Sequence, residues 1–145
     1  MSKTDAWEVA RGRSGARELV MQLLFQMEAQ NEYSDDIKTT FFKENSKDNN
    51  QKEYLEQMYA LISEYLPAAD DLIESCSENW KIDRMCKVDL AMMRTAVLEI
   101  MYMNDIPESV SVNEAVDIAK KYGTEDSGKF VNGVLGKVVK MKHAN

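Results

Sequence analysis

Apolar residues recur along most of this chain at the spacing of a single helix face. In the first stretch Leu19, Leu23, Leu24 and Met27 fall on one stripe, which predicts a helix over about residues 14–29. No stretch alternates apolar and polar residues in the manner of a strand. The same spacing predicts further helices near residues 37–42, 54–65, 67–76, 88–103, 112–122 and 127–138. The pattern therefore predicts an all-α protein of about seven helices with short connections.

Helix-breaking residues are rare between the two ends of the chain. No glycine occurs from Ala16 to Tyr122, and only Pro67 and Pro107 interrupt this span. Because proline is tolerated in the first turn of a helix, Pro67 predicts the start of a fourth helix. The stretch 88–103 is apolar over too wide an arc for a surface helix, so we expect it to be central.

Several residues predict where the C-terminal helices begin and end. The segment 111–114 has the form of a capping box, in which Ser and Glu satisfy free amides at a helix start. Gly123 is a natural stop, and Thr124 or Asp126 is expected to cap the last helix. The glycine pair Gly133-x-x-Gly136 favours close backbone packing against a neighbouring helix.

Length and composition indicate an ordinary globular domain. The chain has 145 residues, of which 44% are hydrophobic and 30% charged. It contains no apolar run of about 18 residues, so no membrane span is expected, and its first residues lack a signal core. With only Cys76 and Cys86 there is no disulfide framework, which fits a cytoplasmic location. We expect residues 1–12 to be a flexible N-terminal segment and residues 13–142 to form one all-helical domain.

The net charge of −7 is concentrated in the middle of the chain. Residues 31–80 hold four basic and twelve acidic side chains, whereas the rest is balanced to within one charge. Local potential matters more than the sum, so the two ends can still form a basic face.

The sequence contains little that could support catalysis or metal binding. His143 is the only histidine, which removes Ser–His–Asp and Cys–His nucleophile systems and the common histidine metal motifs. The two cysteines lie ten positions apart without neighbouring ligands, and no glycine loop follows a strand to cradle phosphate. We therefore expect no catalytic residue, no metal and no cofactor.

Four charged residues admit more than one interpretation. Glu99 interrupts the most apolar helix, and it either extends to the edge or is semi-buried beside the helix start near Ser111. Arg94 could act with Glu99 in electrostatic catalysis, but residues five apart do not share a helix face. Asp70 and Asp71 point about 100° apart and are expected to form a solvated acidic face.

Two segments contain the residue types that bind RNA. Arg11, Arg13 and Arg17 cluster at the start of the first helix, where arginines can contact phosphates. The segment 124–130 combines a helix start, which favours anions, with a lysine and an aromatic residue. Phe130 can stack on an unpaired base or pack in the core, and the arginine cluster can equally be a solvated segment.

Most of the sequence resembles one known family, the NusB family. The C-terminal signature is the most specific part of this resemblance, and the match to the first helix would be weak without it. The matching stretches are VNEAVDIAKKYG at 112–123, SGKFVNGVL at 127–135, VDLAMMR at 88–94, Leu98-Glu99, Ile106-Pro107 and ARELVMQLLF at 16–25.

The resemblance implies both a fold and a function. The implied fold is two packed helical bundles, usually counted as seven helices. The implied function is that of a non-enzymatic transcription antitermination adaptor, which binds boxA RNA together with ribosomal protein NusE and acts on elongating RNA polymerase, notably on ribosomal RNA operons. The implied RNA contacts are Arg11, Arg13, Arg17, Asp126, Lys129 and Phe130, and the implied NusE contacts are Phe25 and Asp89.

The arginine segment departs from the family pattern. The family often has consecutive arginines where this chain has Arg13-Ser14-Gly15. We therefore expect weak RNA binding by the protein alone and a stronger dependence on NusE. The alternative is a helical protein–protein interaction module without RNA binding, resting on the acidic middle. Family members differ in oligomeric state, and the sequence does not distinguish a monomer from a dimer.

Overall fold

The predicted all-α fold is confirmed. The computed structural model describes residues 12–45, 50–78 and 80–144, and these residues contain helices and no strand. Residues 1–11 lie outside the described residues, so the predicted N-terminal segment stays a prediction. The described helices are α1 (Gly12–Gln30), α2 (Asp35–Asn45), α3 (Lys52–Cys76), a 3₁₀ turn (Ile82–Arg84), α4 (Lys87–Tyr102), α5 (Glu108–Tyr122) and α6 (Ser127–Lys142).

The third and fourth predicted helices are a single helix. Pro67 lies inside α3 rather than at a helix start. Proline removes one backbone hydrogen bond, but Leu66, Ala69 and Ile73 are buried on either side of it. Packing of this continuous apolar face therefore outweighs the local breaker, and the described residues contain six α-helices where about seven were predicted.

Helix α4 is the centre of the molecule, as its wide apolar arc predicted. Every residue from Asp89 to Ile100 is buried, including the charged Arg94 and Glu99. This helix contacts α1, α3, α5 and α6, so it joins the N-terminal helices to the C-terminal ones. The architecture agrees with two packed helical bundles.

The end of α1 is fixed by local backbone chemistry. Asn31 adopts a left-handed conformation with φ of 52°, which asparagine tolerates better than most residues. The amide of Glu32 donates to the Met27 carbonyl at 3.0 Å, and that of Asn31 to the Glu28 carbonyl at 3.2 Å. These two bonds form a Schellman-type stop before α2 begins.

Two local predictions for the C-terminal helices are wrong. Ser111 is not a helix cap, because α5 begins at Glu108 after Pro107 and the Ser111 hydroxyl donates to the buried Glu99 instead, at 2.8 Å. Gly133 and Gly136 do not mediate close helix packing, since a Cβ atom added at either would meet no atom within 4 Å. Within the described residues, no helix is sufficiently long and apolar to cross a bilayer.

Candidate nucleic-acid interface

The predicted arginine segment is divided between the surface and the core. Arg13 is exposed in the first turn of α1. Its Nε donates to Gln51 Oε1 at 2.7 Å, and its guanidinium carbon lies 4.5 Å from the centre of the Tyr54 ring. These contacts hold the guanidinium group of Arg13 above the start of α3. Arg11 lies outside the described residues.

Arg17 is buried, which argues against direct contact with a phosphate. Only 3% of the residue is exposed. Its Nε and Nη2 donate to the two carboxylate oxygens of Glu99 at 2.8 and 3.1 Å, and its Nη1 donates to Glu114 at 3.1 Å. Burial lowers the pKa of Arg17, but the hydrogen bond and charge of Glu99, together with Tyr54 and Glu114, outweigh it and the pKa is raised. Arg17 therefore has a structural role: it attaches α1 to the buried carboxylate of Glu99 on α4.

Glu99 is the acceptor at the centre of this buried cluster. It is 0% exposed, so it does not extend to the edge; it lies beside Ser111, as the second interpretation expected, but its donors are side chains rather than backbone amides. Besides Arg17, the hydroxyls of Tyr54 and Ser111 donate to it. Burial, followed by the charge of Glu99, raises the pKa of Tyr54 well above its usual value and keeps it a donor. Four helices, α1, α3, α4 and α5, therefore meet at one carboxylate.

The start of α6 presents the second predicted segment on the surface. Asp126 and Lys129 are exposed, and Phe130 is half-buried. Asp126 occupies the N-cap position without a side-chain capping bond. The turn before it is tight: the Thr124 amide donates to Ser127 Oγ at 2.9 Å, and a Cβ at Gly123 would lie 2.7 Å from the Ala119 carbonyl oxygen. Gly123 is thus required by close approach.

Trp80 also belongs to this surface, although its position in the sequence did not single it out as a site residue. It is 53% exposed and meets Phe130 edge-to-face, with ring centres 6.4 Å apart and an interplanar angle of 71°. The available sequence signal was its position after a polar run rather than on an apolar stripe. Together Trp80 and Phe130 form an exposed aromatic ridge.

Two grooves adjoin the aromatic ridge. The larger encloses about 410 Å³ and the smaller about 290 Å³. The larger is lined by Cys76, Ser77, Glu78, Trp80, Asp126, Lys129, Phe130, Gly133, Val134 and Lys137. The smaller, called the Trp80 groove below, is lined by Trp80, Arg84, Met85, Cys86, Asp89, Asp126 and Phe130. The predicted residues of α6 and the predicted NusE contact Asp89 therefore share one surface.

Asp89 lies in the Trp80 groove, near the beginning of α4. It is 6% exposed, and its Oδ1 has no hydrogen-bond partner among the described residues. Burial raises the pKa of Asp89, while a side-chain hydrogen bond from Ser127 opposes that rise. The other predicted NusE contact, Phe25, is half-buried on α1 and packs against the core.

A second buried arginine links the central helix to the acidic middle. Arg94 donates to both carboxylate oxygens of Asp70 at 2.7 and 2.8 Å and to Glu28 at 3.0 Å. Asp70 is therefore part of an ion-pair network rather than of a solvated face, whereas Asp71 is exposed. Burial lowers the pKa of Arg94, but Asp70 outweighs it and the pKa is raised. No group of three or more potential metal ligands occurs within the described ranges.

The chain is similar in sequence to proteins of a known family. The family model described as "NusB family" matches residues 14–140. The transcription antitermination protein NusB of Ruminiclostridium cellulolyticum is 44% identical over 129 residues, which cover 89% of each chain.

Solved structures share the fold over the same span. NusB of T. maritima is 35% identical with a TM-score of 0.77, covering 88% of this chain and 90% of that one. A crystal structure of the antitermination factors NusB and NusE in complex with dsRNA contains a chain that is 28% identical. That chain superimposes with a TM-score of 0.78 over 89% of this chain and 96% of its own.

Proposed function

Because the chain belongs to the NusB family, we propose that it is a transcription antitermination factor that binds boxA-type RNA together with ribosomal protein NusE. The observation that carries this proposal is its likeness, over 89% of its length, to a NusB solved with NusE and RNA. In this role it acts on elongating RNA polymerase, notably on ribosomal RNA operons, and it works in the cytoplasm.

The RNA surface combines the start of α6 with the exposed part of the arginine segment. Lys129 is exposed and available to a phosphate, and Phe130 offers a ring to an unpaired base. Arg13 supplies the exposed charge of α1, and Arg11 extends it as a proposed contact outside the described residues. Arg17 acts by positioning α1 through Glu99.

The acidic middle does not oppose this RNA surface. Some of the acidic side chains in residues 31–80 already have basic partners. Asp70 accepts from Arg94, and Glu78, beside the larger groove, pairs with Lys137 at 2.7 Å. Among the described residues of this stretch, the remaining exposed carboxylates lie on α2, on α3 or, for Glu32, between α1 and α2, whereas the proposed contacts lie on α1 and α6. RNA can therefore be attracted locally by a chain whose net charge is −7.

The NusE surface is proposed on the first and central helices, around Phe25 and Asp89, which lies near the beginning of α4. Glu28, near the end of α1, links the two helices. It accepts a hydrogen bond from Arg94 at 3.0 Å and lies 3.9 Å from Lys87, the first residue of α4. A protein partner would thus meet a rigid pair of helices rather than a mobile segment.

The proposed role is binding without a catalytic step. Arg94 and Glu99, the pair considered for electrostatic catalysis, face different neighbours. Arg94 bonds to Asp70 and Glu28, and Glu99 bonds to Arg17, Tyr54 and Ser111. Both buried side chains already have protein partners and do not converge on one cavity.

The decisive experiment titrates fluorescently labelled boxA-type RNA with the protein alone and then with NusE present. We expect weak binding alone, tighter binding with NusE, and weakening of both by salt because phosphate contacts release counterions. Lys129→Ala should lower affinity and reduce the salt slope by about one, whereas Lys140→Ala, an exposed lysine at the far end of α6, should change neither. Equal binding of unrelated RNA, or none with NusE present, would favour the helical protein–protein module instead.

A further inference from the structure

Glu18 is a buried carboxylate that bonds α1 to the last turn of α5. Only 3% of the residue is exposed. The Tyr122 hydroxyl donates to its Oε1, and the Lys121 ammonium lies 3.4 and 3.2 Å from its two oxygens. Burial, followed by the bond to Glu18, raises the pKa of Tyr122 and keeps its hydroxyl a donor. Because a buried carboxylate needs such donors, these contacts fix the end of α5 against α1. We call Glu18, Lys121 and Tyr122 the Glu18 clamp.

The connection from the Glu18 clamp to the start of α6 is closed by hydrogen bonds. Helix α5 ends at Tyr122, and α6 begins at Ser127. The Gly123 amide donates to the Ala119 carbonyl at 2.7 Å. The Thr124 amide donates to Ser127 Oγ at 2.9 Å, and the Ser127 amide donates back to the Thr124 carbonyl at 3.1 Å. A displacement of Tyr122 would therefore also displace the residues that follow Ser127.

The other side of the Glu18 clamp is the helix that carries the arginine segment. Arg13 lies five positions before Glu18 on α1. Arg17, the neighbour of Glu18, bonds to Glu99 of α4, whereas Glu18 bonds to the end of α5. The proposed RNA contacts Arg13 and Lys129 thus lie on two helix starts, and the clamp sets where one start lies relative to the other.

We propose that Glu18 is a positioning residue for RNA binding, which holds the start of α6 at a fixed distance from the arginine segment so that one RNA strand contacts both. This inference rests on the proposed RNA-binding function and names the contact that makes its two segments a single site. Two contacts on one rigid scaffold reinforce each other, because the second requires little further ordering once the first is made. Glu18 itself does not touch the RNA, since its buried oxygens already accept from protein donors.

The test measures the affinity of the full chain and of Glu18→Gln for boxA-type RNA, with NusE present, by fluorescence anisotropy. Glutamine removes the charge that faces Lys121 and keeps only one oxygen acceptor. We expect the RNA affinity to fall about tenfold, because a small displacement of one contact removes much of its contribution. Binding of NusE without RNA should be unchanged, since Arg17 still attaches α1 to α4. Tyr122→Phe, which removes only a hydroxyl and is expected to fold, should weaken RNA binding in the same direction by a smaller factor.

Glu108→Gln is the matched control at the opposite end of α5. Glu108 is the first residue of that helix, and its carboxylate lies 2.9 Å from Lys142 Nζ and 2.7 Å from His143 Nε2 of the α6 end. The substitution removes the same charge from the same helix but leaves the start of α6 in place. It should therefore leave the RNA affinity unchanged.

Two further readouts separate positioning from a general loss of stability. Lys129→Ala should weaken RNA binding by a clearly smaller factor in the Glu18→Gln background than in the parent, because a displaced Lys129 already contributes less. Stability alone would leave that factor the same. In the free protein, Glu18→Gln should speed amide hydrogen exchange at Ser127 and Phe130 while the amides of α4 keep the parent rate.

The outcomes separate this inference from the function on which it rests. If the parent binds no boxA-type RNA with NusE present, the proposed function fails. If the parent binds RNA and Glu18→Gln binds it equally well, or Lys129→Ala costs the same factor in both backgrounds, the positioning role is overturned. Equal weakening of RNA binding by Glu108→Gln, or equal weakening of NusE binding without RNA, would show general loosening of the helices and would also overturn it.

Discussion

Replacing Glu99 by glutamine removes the charge at the centre of the buried cluster. Glu99 accepts two hydrogen bonds from Arg17 and one each from Tyr54 and Ser111. Glutamine keeps one oxygen acceptor, and its amide nitrogen faces the remaining two donors as a donor itself. The substitution therefore leaves the Arg17 guanidinium buried without its counter-charge.

The expected loss follows from the burial of both partners. Arg17 is 3% exposed and Glu99 is 0% exposed, so solvent cannot replace the lost contacts. Removing one partner of a buried ion pair typically costs about 3–5 kcal/mol. For a domain of this size each kcal/mol lowers the Tm by roughly 3 °C, so we expect a decrease of roughly 10–15 °C.

Thermal and urea unfolding followed by circular dichroism would measure this loss. The matched control is Glu114→Gln, which removes a partly exposed carboxylate from the same arginine and should cost less than about 1 kcal/mol. Adding Arg17→Met to Glu99→Gln removes the unpaired cation, so the double variant should be no less stable than Glu99→Gln alone. A cost below about 1 kcal/mol for Glu99→Gln would refute the assignment of a buried ion pair.

Three further predictions concern other parts of the molecule. Asp70→Asn breaks the double contact with Arg94 and should cost about 2–3 kcal/mol in urea unfolding, whereas the exposed neighbour Asp71→Asn should stay within about 0.5 kcal/mol. Gly123→Ala drives a Cβ to 2.7 Å from a backbone oxygen and should lower stability by about 1–3 kcal/mol. Gly133→Ala, where an added Cβ meets nothing, should raise stability by up to about 1 kcal/mol, so equal effects of the two substitutions would contradict the packing described. Because burial raises the pKa of Asp89, its ionisation opposes folding as the pH rises from the unfolded value through the folded one. Asp89→Asn should therefore match or exceed the parent Tm near pH 7 and lose that advantage toward about pH 4, and a lower Tm at both pH values would refute the sign.

The apolar pattern was sufficient to predict the helices and the central position of α4. These features depend on which face of a helix is apolar, and that information is local in the sequence. The pattern failed at Pro67, where the local rule for proline was overridden by burial of the surrounding residues against other helices. Element type was thus predictable, but the number of helices was not.

The partners of charged residues could not be predicted from the sequence. Arg17 looked like an RNA contact because it lies beside other arginines, but its partner Glu99 is 82 positions away. Ser111 matched a capping motif, yet the same distant carboxylate takes its hydroxyl. Trp80 was missed as a site residue because only the folded chain brings it against Phe130. Each error concerns a contact between segments that are remote along the chain.

The three buried ionisable residues of α4 also determine how this helix can be oriented. Asp89, Arg94 and Glu99 follow one another at intervals of five positions, so successive side chains turn by about 140° around the axis and radiate in three directions. Their partners lie on α6, on α3 with α1, and on α1 with α3 and α5. A helix that is apolar on nearly every side could otherwise dock in several rotations of similar energy. Any of those rotations would bury at least one of these charges without its partner, so the ionic residues select a single rotation of α4.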